Sequence, residues 1–187
     1  MSDREILQEF HQFLTASLDD LVDASSASMG LPQIVERWAI PSEHKVFVLT
    51  YGVPIEQDPD GLQLRGDVQW VTDPEVAVSG RLGYRLGSDW GRTLAAMAPS
   101  GEVWAVRSPL DPRYSIRTAV AQVNSSVTAF IDLSWRWHTL RPLLLALGYR
   151  DAFFDAAEAY LARLTEIDEA LMDEKEYPWW RDLILDW

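Results

Sequence analysis

The sequence predicts an α+β fold, with a central, mostly antiparallel sheet packed by N-terminal and C-terminal helices. Three observations carry that expectation. An amphipathic helix opens the chain, strand-like segments and a hairpin occupy its middle, and two helical segments close it. Helices grouped at the ends of a run of strands, without βαβ alternation, point to helices laid on an antiparallel or mixed sheet. With 187 residues, no low-complexity linker and no internal repeat, the chain is expected to form a single domain over 1–187.

The first helix starts at Ser2, where Ser2-x-x-Glu5 is a capping-box pattern. Ile6, Phe10, Phe13 and Leu14 then share one face at helical spacing, and Leu18, Leu21 and Val22 continue that helix or begin another after Asp19-Asp20. Gly30 and Pro32 read as its stop, one by a left-handed backbone and the other by its missing N–H. Lys45 to Tyr51 is rich in β-branched and aromatic residues with apolar side chains on both faces, so it reads as a covered strand. Asp58-Pro59-Asp60-Gly61 is a turn and not a calcium loop, because no bidentate Glu follows at the required distance. Short strand pieces run from Gly66 to Leu86, with Gly80, Gly83 and Gly87 serving turns and bulges.

The clearest local feature is a hairpin. Thr93 to Ala98 and Glu102 to Arg107 flank Ala98-Pro99-Ser100-Gly101, which has the composition of a type I turn. A loop follows from Ser108 to Arg117, and Thr118 to Val123 returns as a strand. Asn124 or Ser125 is expected to cap a helix whose buried face begins at Val127 and Phe130 and runs to Leu140, with a kink or restart at Pro142. Asp151 is expected to cap the last long helix, with Phe154, Ala157, Leu161, Leu164 and Leu171 inward and Glu158, Glu166, Glu169 and Asp173 outward. The tail from Tyr177 to Trp187 is too aromatic for a disordered end and is expected to pack on the domain or on a partner.

Charge narrows the function classes. The net charge is −13, and residues 1–30 hold six acids against one base, residues 31–149 twelve against eleven, and residues 150–187 eleven against four. The two ends therefore hold −12 of the −13. Such a field repels nucleic acid and anionic membrane, and it speeds encounter with basic partners. Absence of cysteine excludes disulfides and thiolate metal sites and fits a reducing, cytoplasmic location. The acidic N-terminus does not read as a signal peptide, and the longest apolar run, Leu143 to Leu147, is too short to span a bilayer.

Reaction chemistry leaves no pattern. His11, His44 and His138 are scattered, without the spacing of a metal site. No nucleophile elbow occurs, and Ser125 and Ser126 are explained by a helix cap. Carboxylates are many, but no spacing selects a catalytic pair. Among the nine tryptophans, Trp38, Trp70 and Trp104 fall at apolar positions expected in the core. Trp90, in Gly87-Ser88-Asp89-Trp90-Gly91, suits either packing or a binding hot spot.

Gly30-Leu31-Pro32 after an N-terminal helix, Ser100-Gly101-Glu102-Val103 at the hairpin, and Val123-Asn124-Ser125-Ser126-Val127-Thr128-Ala129-Phe130 together resemble the SUKH immunity-protein superfamily of bacterial polymorphic toxin systems. The resemblance is closest to its fourth group. It implies a cytoplasmic protein that binds and neutralises a cognate toxin by contact, without catalysis, cofactor or metal. On this reading Gly30, Pro32, Gly101, Asn124 and Ser125 are structural, and Asp89, Trp90, Glu102 and Asp111 are the candidate toxin contacts. A polar stretch from Glu56 to Pro74 and the aromatic tail depart from the family pattern. The sequence also allows two other readings, a general protein-interaction module of this fold and an enzyme using an unrecognised carboxylate pair. Oligomeric state is not legible.

Overall fold

In the computed structural model, residues 2–55, 75–78, 81–89, 92–107, 120–148, 150–172 and 178–185 are described. The helices are α1 (Asp3–Thr15), α2 (Leu18–Leu21), α3 (Pro32–Val35), α4 (Ser42–Tyr51), α5 (Val127–Leu147), α6 (Asp151–Ile167) and α7 (Pro178–Leu185). The strands are β1 (Ala27–Ser28), β2 (Val53–Pro54), β3 (Glu75–Val78), β4 (Arg81–Asp89), β5 (Arg92–Met97), β6 (Val103–Arg107) and β7 (Val120–Asn124). Strands β3 to β7 form one antiparallel sheet in which every strand pairs with its neighbour in sequence; β1 and β2 make a separate small pair. The α+β expectation holds.

The sheet has two unequal faces, because successive side chains alternate across a strand. Tyr84, Leu86, Leu94, Ala96, Val103, Ala105 and Val123 join the main core with the helices, while Ala95 and Met97 form a satellite cluster with Trp104 and Val106. The register shift between Arg85 and Gly87 places the expected glycine at a bulge.

Helix α5 crosses the core against α1, α2, α4, α6, β2 and β7. Twelve of its 21 residues are buried, too many for one face, so it is enclosed on several sides. Its one buried cation is useful: Arg136 pairs with Asp132 and donates to the Leu14 and Phe13 carbonyls at 3.0 and 3.4 Å. Both carbonyls lie in the last turn of α1, where positive charge is favoured; that of Phe13 also accepts from the Ala16 N–H at 3.3 Å. Tyr160 of α6 donates to the Leu133 carbonyl at 3.0 Å, and burial pushes its phenol well above the ordinary value.

Several sequence expectations are corrected. Lys45–Tyr51 is not a strand but most of α4, entered through Pro41 and ended by Gly52 at φ +60°. Its β-forming composition is overridden by packing of His44 and Val48, one helical turn apart, into the core. Gly30 does not adopt the left-handed backbone, which among the described glycines belongs to Gly52, Gly101 and Gly148. Pro32 starts α3 at its first turn instead of ending a helix, a position where its missing N–H costs nothing. Helix α1 stops at Thr15, and α2 begins at Leu18, before the Asp19-Asp20 pair, with Ser17 as its cap. Pro142 lies inside α5, which continues through it without restarting. Helix α6 is entered through Arg150, with Asp151 in its first turn; Phe153 is its buried ring, and Phe154 is half exposed. The hairpin turn closes from the Gly101 N–H to the Met97 carbonyl at 2.7 Å, one residue wider than a type I turn, and its Ala98–Pro99 peptide is cis. The Ser2–Glu5 capping box is present as expected. The turn at Asp58–Gly61, Val68–Val71, Trp70, the polar stretch from Glu56 to Pro74, Asp173 and Trp187 lie outside the described residues.

The cap of α5 is Ser126, whose hydroxyl accepts from the Ala129 N–H at 3.2 Å, not Asn124 or Ser125. Those two residues bind Asp168, the residue that ends α6. Asp168 accepts from the Asn124 amide at 2.9 Å, the Ser125 N–H at 2.8 Å, the Ser125 hydroxyl at 2.7 Å and the Ala170 N–H at 3.3 Å. Trp180 of α7 completes the group, its indole N–H donating to the Asn124 side-chain oxygen at 3.1 Å. The aromatic tail thus packs on the chain itself: Trp179, Trp180, Leu183 and Ile184 are all buried.

Replacing Asp168 by Ala strands the buried Asn124 amide and three part-buried donors at once and is expected to cost about 3 kcal/mol, at the upper end for unsatisfied groups. Trp180→Phe removes one donor and is expected to cost about 1 kcal/mol. Urea unfolding followed by tryptophan fluorescence measures both; an unshifted midpoint for Asp168→Ala would show that the network contributes no stability.

Candidate interaction surface

The hairpin end is built from β4, β5, β6 and the start of α4. Gly101 has φ +79°, and a Cβ there would collide with the His44 ring, so both backbone form and close approach require glycine. His44 is buried beneath this turn. Burial lowers the pKa of its imidazole from the ordinary value, while Glu43 and the Ser100 backbone pull the other way. Its Nδ1 has no hydrogen-bond partner among the described residues.

The four expected contacts are only partly visible at this end. Glu102 lies one residue beyond the turn, where it meets the Arg81 guanidinium at 3.5 Å and accepts from the Trp104 indole at 3.4 Å. Asp89 ends β4 opposite Arg92, at the other end of β5 from the Gly101 turn, and its side chain, together with Trp90 and Asp111, lies outside the described residues. The structure therefore does not bring the four together as one described surface.

The helical side presents a different surface, which the periodicity of the last long helix revealed only in part. Asp3 pairs with Arg150 at 3.0 Å, and α1 and α6 are in contact. The N-terminal helix and α6, from opposite ends of the chain, are thereby brought together. Along α6, Asp151, Asp155, Glu158, Ala162 and Glu166 are exposed at helical spacing, and Glu169 follows in the succeeding 3-10 turn. Glu166 pairs with Arg163 at 2.7 Å. Asp151, Asp155 and Glu158 have no ion-pair partner among the described residues.

Beside that stripe is a cavity of about 240 Å³ between α6 and α7. Leu161, Ala162, Leu164 and Thr165 of α6 line it, with Leu171, Trp180 and Arg181 opposite. Because the Trp180 indole N–H is held by Asn124, the same polar network that fixes α7 also fixes one wall of the cavity. Sequence reasoning missed this site because its walls come from residues 20 apart that no periodicity links.

Among the described residues no group of three or more His, Asp or Glu side chains is placed to hold a metal ion. No helix there is long and apolar enough to cross a membrane. Against this geometry, the family model for SUKH-4 immunity protein matches residues 10–186.

The chain belongs to the SUKH-4 immunity protein family.

The match takes in the helical layer, the hairpin, the Asp168 network and α7, so the aromatic tail is part of the family unit. Membership implies a protein toxin as the partner. No curated protein and no solved structure matches the chain.

Two outcomes are expected at the hairpin end. Gly101→Ala should destabilise by at least about 1–2 kcal/mol from backbone form alone, before the collision with His44 is counted. Because folding lowers the His44 pKa, the unfolded chain binds the extra proton. The His44 contribution is therefore complete above the ordinary histidine pKa, and it is lost as pH falls below that value toward the lowered folded one. Thermal melts of wild type and His44→Gln across that window should converge at the acid end; parallel curves would rule out the histidine as the source.

Proposed function

We propose that this SUKH-4 protein binds a cognate, basic protein toxin in the bacterial cytoplasm and neutralises it by direct contact, without catalysis, cofactor or nucleic acid. The family match over residues 10–186 is the observation that carries the reading. Charge supports it: a net −13, concentrated at the two ends of the chain, favours a partner of opposite sign and accelerates its capture. Inhibition by occlusion requires a stable scaffold and a complementary patch, and a buried network such as Asn124–Asp168–Trp180 supplies stiffness to that end. Asp89, Trp90, Glu102 and Asp111 are the proposed contacts on the sheet side, where loops between strands allow variation without disturbing the core.

The toxin to test is the protein encoded by the neighbouring reading frame. Coexpression should restore growth, and the purified pair should form a stable complex whose association rate falls as ionic strength rises. Growth inhibition that persists on coexpression, with no complex by calorimetry, would refute the proposal; a complex without loss of toxicity would favour a general interaction module instead.

A further inference from the structure

The cavity between α6 and α7 and the acidic stripe beside it have separate physical origins, yet they meet at Ala162. That residue lines the cavity and is also exposed on the stripe, one turn from Glu158 on one side and Glu166 on the other. Resting on the reading of the protein as a toxin binder, we propose that this groove is a docking site for the basic toxin. One apolar or aromatic side chain of the toxin fills the cavity, and its surrounding lysines and arginines meet the carboxylates of α6.

Size, lining and sign each select this occupant. A volume of about 240 Å³ is smaller than the ~300–1,000 Å³ of pockets that enclose a whole small molecule, and it suits one inserted side chain. Leu161, Leu164, Leu171 and Trp180 supply the apolar part of a mixed lining that also holds Thr165 and Arg181. Arg181 at the opposite wall opposes a cation inside the cavity, so the inserted group is uncharged while the basic groups stay outside. Buried anchors of this kind, ringed by polar contacts that exclude water, carry most of the energy of an interface.

The surrounding charge excludes the other macromolecules. Asp151, Asp155, Glu158 and Glu169 line one side of the molecule, and a second copy of the chain would bring the same carboxylates face to face. Nucleic acid and anionic membrane are repelled by the same sign. A basic protein surface is the complement that remains. Phe154, half exposed one residue before Asp155, extends the apolar contact along the helix.

The test uses the full-length protein and the toxin from the neighbouring reading frame. Ala162→Trp plugs the cavity from an exposed helical position, and Asp155→Lys with Glu158→Lys reverses the stripe without touching the core. With circular dichroism and melting temperature unchanged, the first variant should weaken the complex at least about tenfold, through a faster off-rate. The charge-reversed variant should slow association and flatten its salt dependence. Glu102→Lys at the hairpin serves as the comparison. If both α6 variants bind like wild type while Glu102→Lys does not, the groove is not the docking site and the toxin-binding function stands. If wild type itself forms no complex, the function fails first.

Discussion

The structure depends on α5 being enclosed. A helix with so many buried residues has no solvent face along much of its length, and every neighbour must be shaped to it. Helices α1, α2, α4 and α6 and strands β2 and β7 all meet it, so the sheet and the helical layer are joined through one element. Trp135 and Trp137 are both essentially inaccessible, and truncating either would remove about 3–5 kcal/mol of packing. Burying polar groups in this core calls for internal hydrogen-bond partners, although the Trp135 indole N–H finds none among the described residues. Arg136 satisfies that demand by ending α1, and Tyr160 by reaching the backbone of α5. Removing the Arg136 side chain would take the Leu14 carbonyl's donor and leave Asp132 without its cation, so the helix pair is held by electrostatics as well as by packing.

The same logic places the C-terminal segment. Asn124 is fully buried at the end of β7, where an amide side chain is tolerated only if both its ends are used. Its nitrogen is taken by Asp168 and its oxygen by Trp180. One residue thus ties the last strand to the end of α6 and to α7, three elements distant in sequence. Ser125 supplies two more donors to the same carboxylate, leaving Ser126 to cap α5. Asn124 and Ser125 thus anchor later segments and do not cap the helix that follows.

How much of this was legible follows from which signals are local. The capping box at Ser2 and the hairpin around Gly101 are set by neighbours a few residues apart, and each is visible in the sequence. Lys45–Tyr51 misleads because α4 buries only His44 and Val48 while Val46 is exposed, so apolar residues stand on both sides of the helix and β-branched composition is what remains to read. The boundary signals were nevertheless present: Pro41 before the segment and Gly52 after it frame a helix better than a strand. Phe153 and Phe154 are adjacent, and periodicity alone assigns the wrong ring to the core. Asp168 was not legible at all, since its partners are some 40 residues away and nothing near it marks an acid as buried.

The charge distribution acquires meaning only through the fold. Read along the chain, the acids form two separate terminal excesses with a nearly balanced middle. Folding sets α1 against α6 and brings Asp3 to Arg150, so part of each excess comes near the other, although like charges brought together oppose compaction. Only Asp3–Arg150 and Arg163–Glu166 offset that repulsion among the described ion pairs there, and such exposed pairs contribute about 0–1 kcal/mol each. Stability would be better served by interspersing basic residues on α6. Asp151, Asp155 and Glu158, without ion-pair partners among the described residues, stand beside a cavity of mixed lining, an arrangement costly for a free protein and favourable for one that meets a basic surface. The feature that strains the isolated fold is the one that suits it to a partner.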